Sequence, residues 1–309
     1  MKIPAILIAV LATAATSFGQ QAAAKPQQGS STPAAPAAAA AATPTPPQGK
    51  RPPQAKTQAE FDAYQAAVAN TDPTALEKAA DDFATKFPDS ELRTLLYRNA
   101  MRAYQNANNG DKMLDVGHKI LKIDPDDPEA LIGVAEVLTE RTRDTDIDKD
   151  QRYDEAMKAA QRSIQTVETD IIIPPGTSQE KVDEYKGSLK STAYSIIGAI
   201  QLNSGQYTDA EASFHKSIDA FPSSPDPVVV LRLAIALDKQ NKYPEALKQA
   251  NQAVALTQDG TTSGTLARRE RDRLVQLTGG TPPGTTPSSS PPPAPAAPAT
   301  TPAPKAPGA

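Results

Sequence analysis

The stretch "GQYTDAEASFHKSIDAFP" at residues 205–222 recurs in altered form 36 residues later, as "NKYPEALKQANQAVALTQ" at residues 241–258. In this alignment Tyr207 matches Tyr243, Ala210 matches Ala246, Phe214 matches Ala250 and Ile218 matches Val254. A further copy, "RYDEAMKAAQRSI", occupies residues 152–164. Self-similarity at a period of roughly 20 to 50 residues is typical of solenoids. Because the apolar residues recur at helical spacing, each copy is expected to contain an amphipathic helix.

A second apolar stretch precedes two of these copies, "YSIIGAIQLNSG" before the first and "VVLRLAIAL" before the second. The pairing resembles the tetratricopeptide repeat, a helix–turn–helix unit of about 34 residues. The fullest match is residues 191–224, with Tyr194, Ile197, Gly198, Gly205, Tyr207, Ala210, Phe214, Ser217 and Pro222 at the family's positions. The resemblance implies an all-α fold, an α-solenoid of about five repeats closed by a C-terminal capping helix. The units are expected near 57–90, 94–127, 128–170, 191–224 and 227–260, with the cap at 263–277.

The residues between these units fit helix starts and turns. Asp72, Asp127 and Asp226 each stand before a proline, which predicts an N-cap followed by proline at the first helical position. Thr177 with Glu180 predicts a capping box that opens a long helix over about 178–202. The capping helix is expected to bury an apolar face made of Leu266, Leu274 and Leu277.

The two ends of the 309-residue chain differ from its middle. Residues 1–19 combine Lys2, an apolar run and small residues, which predicts a signal peptide of an exported, periplasmic or secreted, bacterial-type protein. Retention of this segment as a membrane anchor is the alternative; after cleavage no integral membrane span is expected. Residues 20–56 and 279–309 hold most of the prolines and no aromatic residue, which predicts disordered tails around a solenoid at 57–278.

Composition and motifs exclude several functions. The chain has no cysteine, so disulfides and cysteine-based metal sites are excluded, and its net charge of −4 does not favour nucleic acid. No phosphate-binding loop, nucleophile elbow or zinc motif is present, so neither an enzyme nor a cofactor is predicted. The stretch "DTDIDKDQRYDE" at 144–155 places Asp144, Asp146, Asp148 and Glu155 at calcium-loop spacing. Lys149 stands where such a loop needs glycine, so a lengthened, solvated turn is the preferred interpretation over a metal site.

The family resemblance also implies a partner-binding groove, lined by the first helix of each repeat. Carried over by position, the groove residues are Arg98, Arg102, Gln105, Asn106, Glu129, Ile132, Glu136, Ser195, Asn203, Leu231 and Ile235. At the last unit, the alternative is that the capping helix covers Leu231 and Ile235. The predicted function is a non-catalytic scaffold of the cell envelope that binds a protein or peptide. The alternatives are a structural tether acting through the proline-rich tails and a calcium-responsive module using the 144–155 loop.

Overall fold

The computed structural model describes residues 49–280. The predicted signal peptide and the predicted tail residues 20–48 and 281–309 lie outside the described residues. Within 49–280 there are eleven α-helices: α1 Gln58–Val68, α2 Pro73–Lys86, α3 Leu92–Asn106, α4 Gly110–Ile123, α5 Pro128–Arg141, α6 Lys149–Thr166, α7 Gln179–Asn203, α8 Tyr207–Ala220, α9 Pro227–Lys239, α10 Tyr243–Ala255 and α11 Thr262–Leu277. No helix in this range is both long enough and apolar enough to cross a bilayer.

Consecutive helices pack as hairpins, and each hairpin packs on the next. The pairs are α1 with α2, α3 with α4, α5 with α6, α7 with α8 and α9 with α10, and α11 closes the array against α10 and α9. The predicted tetratricopeptide-like α-solenoid with a capping helix is therefore confirmed over the described residues. The buried apolar residues form four clusters along the stack, each shared by helices of neighbouring hairpins.

Small residues set the distance between the two helices of a hairpin. The ring of Phe214 in α8 is fully buried against Gly198 in α7, where an added Cβ would lie 2.6 Å from a ring carbon. Ala210 and Ala246 likewise have no exposed surface. The repeat pattern in the sequence is thus a packing rule, in which one helix needs a small residue where its partner carries a large one.

The three predicted aspartate N-caps are confirmed. The side chains of Asp72, Asp127 and Asp226 accept hydrogen bonds from backbone N–H groups in the first turns of α2, α5 and α9. The predicted capping box at Thr177 is wrong. α7 begins after Ser178 without a side-chain cap, and the Thr177 hydroxyl donates to the carbonyl oxygen of Pro174 at 2.7 Å instead.

Residues 49–56, predicted as the end of a disordered tail, are instead bound to the solenoid. The backbone N–H of Lys50 donates to the carbonyl oxygen of Ile171 at 2.8 Å, and its ammonium group lies 2.8 Å from Asp124 and 2.9 Å from Asp170. Arg51 pairs with Glu91 at 2.6 Å. The ordered part of the chain therefore begins eight residues before the predicted boundary at residue 57. These partners of Lys50 and Arg51 lie at least 40 residues away in sequence, so the composition of the segment could not predict these contacts.

The capping helix α11 buries a different face from the predicted one. Leu274 is fully buried as predicted, but Leu266 and Leu277 remain 46% and 50% exposed. The other buried positions are Gly264 and Ala267. The buried face of α11 is thus made of Gly264, Ala267 and Leu274, and Leu266 and Leu277 lie outside it.

Candidate functional site

The predicted groove residues lie on α3, α5, α7 and α9, but the structure places them in different surroundings. Arg98, Ile132 and Leu231 are buried in the interior. Arg102, Asn106 and Asn203 are exposed, and Gln105 and Ile235 are partly buried. A position in the repeat therefore does not by itself make a residue available to a partner.

Arg98 joins two repeats to each other. Its guanidinium group lies 2.5 Å from the carboxylate of Asp127, which is itself fully buried and caps α5. Although burial opposes its charge, the neighbouring carboxylates of Glu129 and Asp127 raise the pKa of Arg98. The residue is accordingly a charged connector between α3 and α5, with no surface left for a ligand.

Arg102 and Glu129 extend this network toward solvent. Arg102 pairs with Glu129, and the hydroxyl of Tyr185 in α7 donates to the same carboxylate at 2.5 Å. Burial raises the pKa of Glu129, but Arg102 and Arg98 together with the tyrosine hydrogen bond outweigh that effect, so its pKa is lowered. The two arginines predicted to line this end of the groove are thus neutralised by carboxylates of the next repeat.

Two neighbouring elements cover other predicted groove positions. Ile132 lies in one core cluster with Val182 and Leu189 from the N-terminal half of α7. Leu231 lies in another with Ala267 of α11, and Ile235 packs against it. The alternative interpretation of Leu231 and Ile235, that the capping helix covers them, is the one that the structure supports.

A pocket of about 250 Å³ remains open between α5, α7 and α9. Its polar lining comprises Glu136, Thr139, Glu140, Thr142, Thr192, Ser195, Asn203 and Arg232. Three of the predicted groove residues, Glu136, Ser195 and Asn203, meet here. Gln105 lies beside it, with its side-chain amide nitrogen 3.4 Å from the Glu136 carboxylate.

The carboxyl group of Glu136 is the most perturbed acid of the pocket. It is 7% exposed, and within residues 49–280 no lysine, arginine or histidine nitrogen lies within 4 Å of it. Burial, reinforced by the nearby charge of Glu140, raises its pKa to about 7. The surroundings of Glu136 therefore disfavour its charged form compared with an exposed glutamate.

The hydroxyl groups of the pocket divide into two kinds. Thr139, Thr142 and Thr192 each donate their proton to a carbonyl oxygen of their own helix, at 2.7, 2.6 and 3.0 Å. Ser195 is 1% exposed, and its hydroxyl has no hydrogen-bond partner in the described part of the chain. A buried hydroxyl without a partner costs free energy, so a ligand group that forms a hydrogen bond with Ser195 would be favoured.

Arg232 is the pocket residue that the groove positions did not predict. It is the single charged residue between Pro227 and Leu237 in the helix stretch "PVVVLRLAIAL", and that isolation is the signal that could have found it. Burial lowers its pKa, opposed in part by Glu140 and Asp226. Among the described residues no carboxylate lies within 4 Å of its guanidinium group.

Comparison with known proteins adds little to this geometry. No family model matches the sequence, and no curated protein matches it. PilF of Pseudomonas aeruginosa is a structural neighbour at 16% identity and a TM-score of 0.48, over 72% of this chain and 85% of that one. A tetratricopeptide protein of Thermus thermophilus aligns at 13% identity and 0.44, over 68% and 98%. The MamA protein aligns at 16% and 0.45, over 64% and 90%. Likeness at this level carries no information about ligands.

The 144–155 loop shows no convergence of its carboxylates. Asp144 pairs with Lys149 at 2.8 Å and Asp148 with Arg152 at 3.1 Å, while Glu155 lies on α6 within 2.8 Å of His118. In the described range no three His, Cys, Asp or Glu side chains form a group that would hold a metal ion. The side chains of this turn are engaged with their own basic neighbours.

A larger cleft, of about 370 Å³, lies beneath residues 50–53. Its charged residues include Lys50, Arg51, Glu91 and Asp124, and these four form the ion pairs that hold the segment to the solenoid. Two further charged residues, Asp89 and Arg93, line the cleft without an ion pair within 4 Å in the described residues, but neither is buried and no buried polar side chain there lacks a partner. The pocket between α5, α7 and α9 is therefore the stronger candidate site.

Proposed function

We propose that this chain is a non-catalytic interaction scaffold that binds a protein or peptide partner at the pocket between α5, α7 and α9. One observation carries the proposal: Glu136, Ser195 and Arg232 meet in one pocket, where, among the described residues, Glu136 and Arg232 have no ion-pair partner within 4 Å and the hydroxyl of Ser195 has no hydrogen-bond partner. Ligand groups that supply those partners would recover the free energy that burial has cost.

The same geometry does not favour catalysis. A serine nucleophile needs a base within hydrogen-bond reach, and Ser195 has no such neighbour in the described residues. Glu136 has a pKa suited to proton transfer, but its nearest polar contact is the neutral amide of Gln105. Binding without turnover is the function that these groups support.

We place the scaffold outside the cytoplasm, in the cell envelope or beyond it. This part of the proposal rests on the signal-peptide pattern of residues 1–19 alone. The proline-rich stretches before residue 49 and after residue 280 are proposed to separate the solenoid from whatever its ends approach.

Site-specific photo-crosslinking in the full chain tests the binding face. A benzoylphenylalanine at Asn203, on the exposed rim of the pocket, is expected to capture one discrete partner in the cells that make this protein. The same group at Lys158, exposed on the second helix of the third hairpin, is the matched control and is expected to capture none of it. Equal capture at both positions, or no discrete product at Asn203, would contradict the proposal.

A further inference from the structure

Apart from the guanidinium group of Arg232 and the amide of Asn203, the polar side chains of the pocket offer mainly hydrogen-bond acceptors. The protons of Thr139, Thr142 and Thr192 are already donated to helix carbonyl oxygens, so toward a ligand these hydroxyls can only accept. Glu136 and Glu140 accept as carboxylates, and Ser195 has free lone pairs besides its free proton. A ligand that satisfies this lining must bring donors.

The charges of the pocket point the same way. Glu136 and Glu140 lie one turn apart on α5, where like charges repel, and neither has an ion-pair partner within 4 Å in the described residues. Arg232 faces them from α9 but interacts with Glu140 only over a longer distance. Two carboxylates against one guanidinium leave room for one more positive charge.

We propose that the pocket between α5, α7 and α9 binds a lysine or arginine side chain of the partner polypeptide. This inference rests on the proposed function and names the chemistry by which the partner is recognised. A volume of about 250 Å³ is smaller than the roughly 300–1,000 Å³ of sites for whole small molecules, and it suits a single long side chain. An ammonium or guanidinium group supplies three or five donors and no acceptor, which matches the carboxylates of α5 and the hydroxyl groups of the pocket; Arg232 competes with it for the carboxylates.

Binding of a cation is coupled to the ionisation of Glu136. Among the described residues, the groups that act on this carboxyl are Glu140 on its own helix and the amide of Gln105 from α3; Arg232 lines the same pocket from α9, and α7 contributes only neutral side chains. Because a bound cation favours the ionised form, affinity rises as the pH rises from 6 to 8. The Glu136→Gln variant loses this dependence.

The test uses the full chain and capped pentapeptides, Ac-Gly-Ser-X-Ser-Gly-amide, in which X is lysine, arginine, norleucine or glutamate. Methyl NMR signals of Thr139, Thr142 and Ile196 report on the pocket. The lysine and arginine peptides are expected to shift these signals with a Kd on the order of millimolar, as befits a single side chain. The norleucine and glutamate peptides are expected to leave them unchanged.

Four variants sharpen the result. Glu136→Gln is expected to weaken the lysine peptide about tenfold and Glu140→Gln about threefold, since the second carboxylate is more exposed. Arg232→Met is expected to strengthen it about threefold, because a competing positive charge is removed. Glu245→Gln, an exposed acid on α10 far from the pocket, is the matched control and leaves affinity unchanged.

Binding of the glutamate peptide, weakened by Arg232→Met, would overturn the inference in favour of an anionic ligand. Failure of every peptide to shift the pocket signals would overturn it too. Both outcomes are distinct from a failure of the proposed function, since crosslinking at Asn203 depends on the place of binding and not on the charge of the ligand. If Glu136→Gln alters the fold, the Glu140→Gln and Arg232→Met variants still test the inference.

Discussion

Charged residues at the two ends of the predicted groove have opposite surroundings. Between α3 and α5, Arg98 and Arg102 are ion-paired with Asp127 and Glu129 of the next repeat. Between α5 and α9, Glu136, Glu140 and Arg232 have no ion-pair partner within 4 Å among the described residues. Charged residues on the first helices of the repeats can thus either join two repeats or face a ligand. The residues on the next helix decide which.

The largest expected effect comes from breaking the paired end. Asp127→Ala leaves the buried guanidinium group of Arg98 without its closest carboxylate, and the free energy of unfolding is expected to fall by about 4 kcal/mol. Urea denaturation followed by circular dichroism measures the change.

Asp226→Ala is the matched control for this variant. Asp226 caps α9 through the backbone N–H of Val228 at 2.7 Å, as Asp127 caps α5, but no ion pair within 4 Å involves it in the described range. Its loss is expected to cost only about 1 kcal/mol, the usual contribution of an N-cap. Equal losses for the two variants would show that the buried ion pair contributes nothing beyond the cap.

The next effect concerns the unpaired end and its pH dependence. The folded-state pKa of Glu136 is about 7, above its ordinary value of 4.5, so between those values the folded chain binds more protons than the unfolded chain. This residue's contribution to stability therefore declines as the pH rises from about 4.5 to about 7. Glu136→Gln is expected to raise the free energy of unfolding at pH 8 by up to about 3 kcal/mol and to change it little at pH 4.5.

Glu129→Gln is the counterpart at the paired end and should behave oppositely. The pKa of Glu129 is lowered, so its ionised form stabilises the fold above its unfolded pKa and that contribution disappears as the pH falls through the lower folded value. At pH 8 the variant is expected to be less stable than the unmodified chain. If both glutamine variants shift stability in the same direction, the contrast between the two ends is wrong.

The smallest effect separates a satisfied hydroxyl from an unsatisfied one. Ser195→Ala removes a buried hydroxyl that has no partner in the described residues, and stability is expected to rise by about 1 kcal/mol. Ser217 is equally buried, but its hydroxyl donates to the carbonyl oxygen of Ser191 at 2.8 Å. Ser217→Ala is therefore expected to lower stability by about 1 kcal/mol in the same denaturation experiment.

The local features of the fold were predictable from the sequence. Helix starts at Asp72, Asp127 and Asp226, and the close approach of Phe214 to Gly198, depend on residues within one or two turns or within one repeat. Such short-range patterns can be recognised in a single sequence. The number of hairpins and the capping helix follow from them.

Coverage of the groove was not predictable in the same way. Whether Ile132 and Leu231 are open depends on the N-terminal half of α7 and on the rotation of α11. α11 turns Gly264, Ala267 and Leu274 toward its neighbours and leaves Leu266 exposed, against the prediction. Arg98 had the right position for a groove residue, but its partner Asp127 lies in the next repeat. Long-range contacts of this kind are absent from the repeat pattern.

The titration of the carboxyl groups tests the contrast between the two ends most directly. Carbon-13 NMR of the full chain, labelled at the glutamate carboxyl carbon, follows Glu136 and Glu129 separately once their signals are assigned with the two glutamine variants. We expect Glu136 to titrate near pH 7 and Glu129 below its ordinary value of 4.5. If Glu136 instead titrates at or below 4.5, it already has a cationic partner, and the pocket is not left open for one.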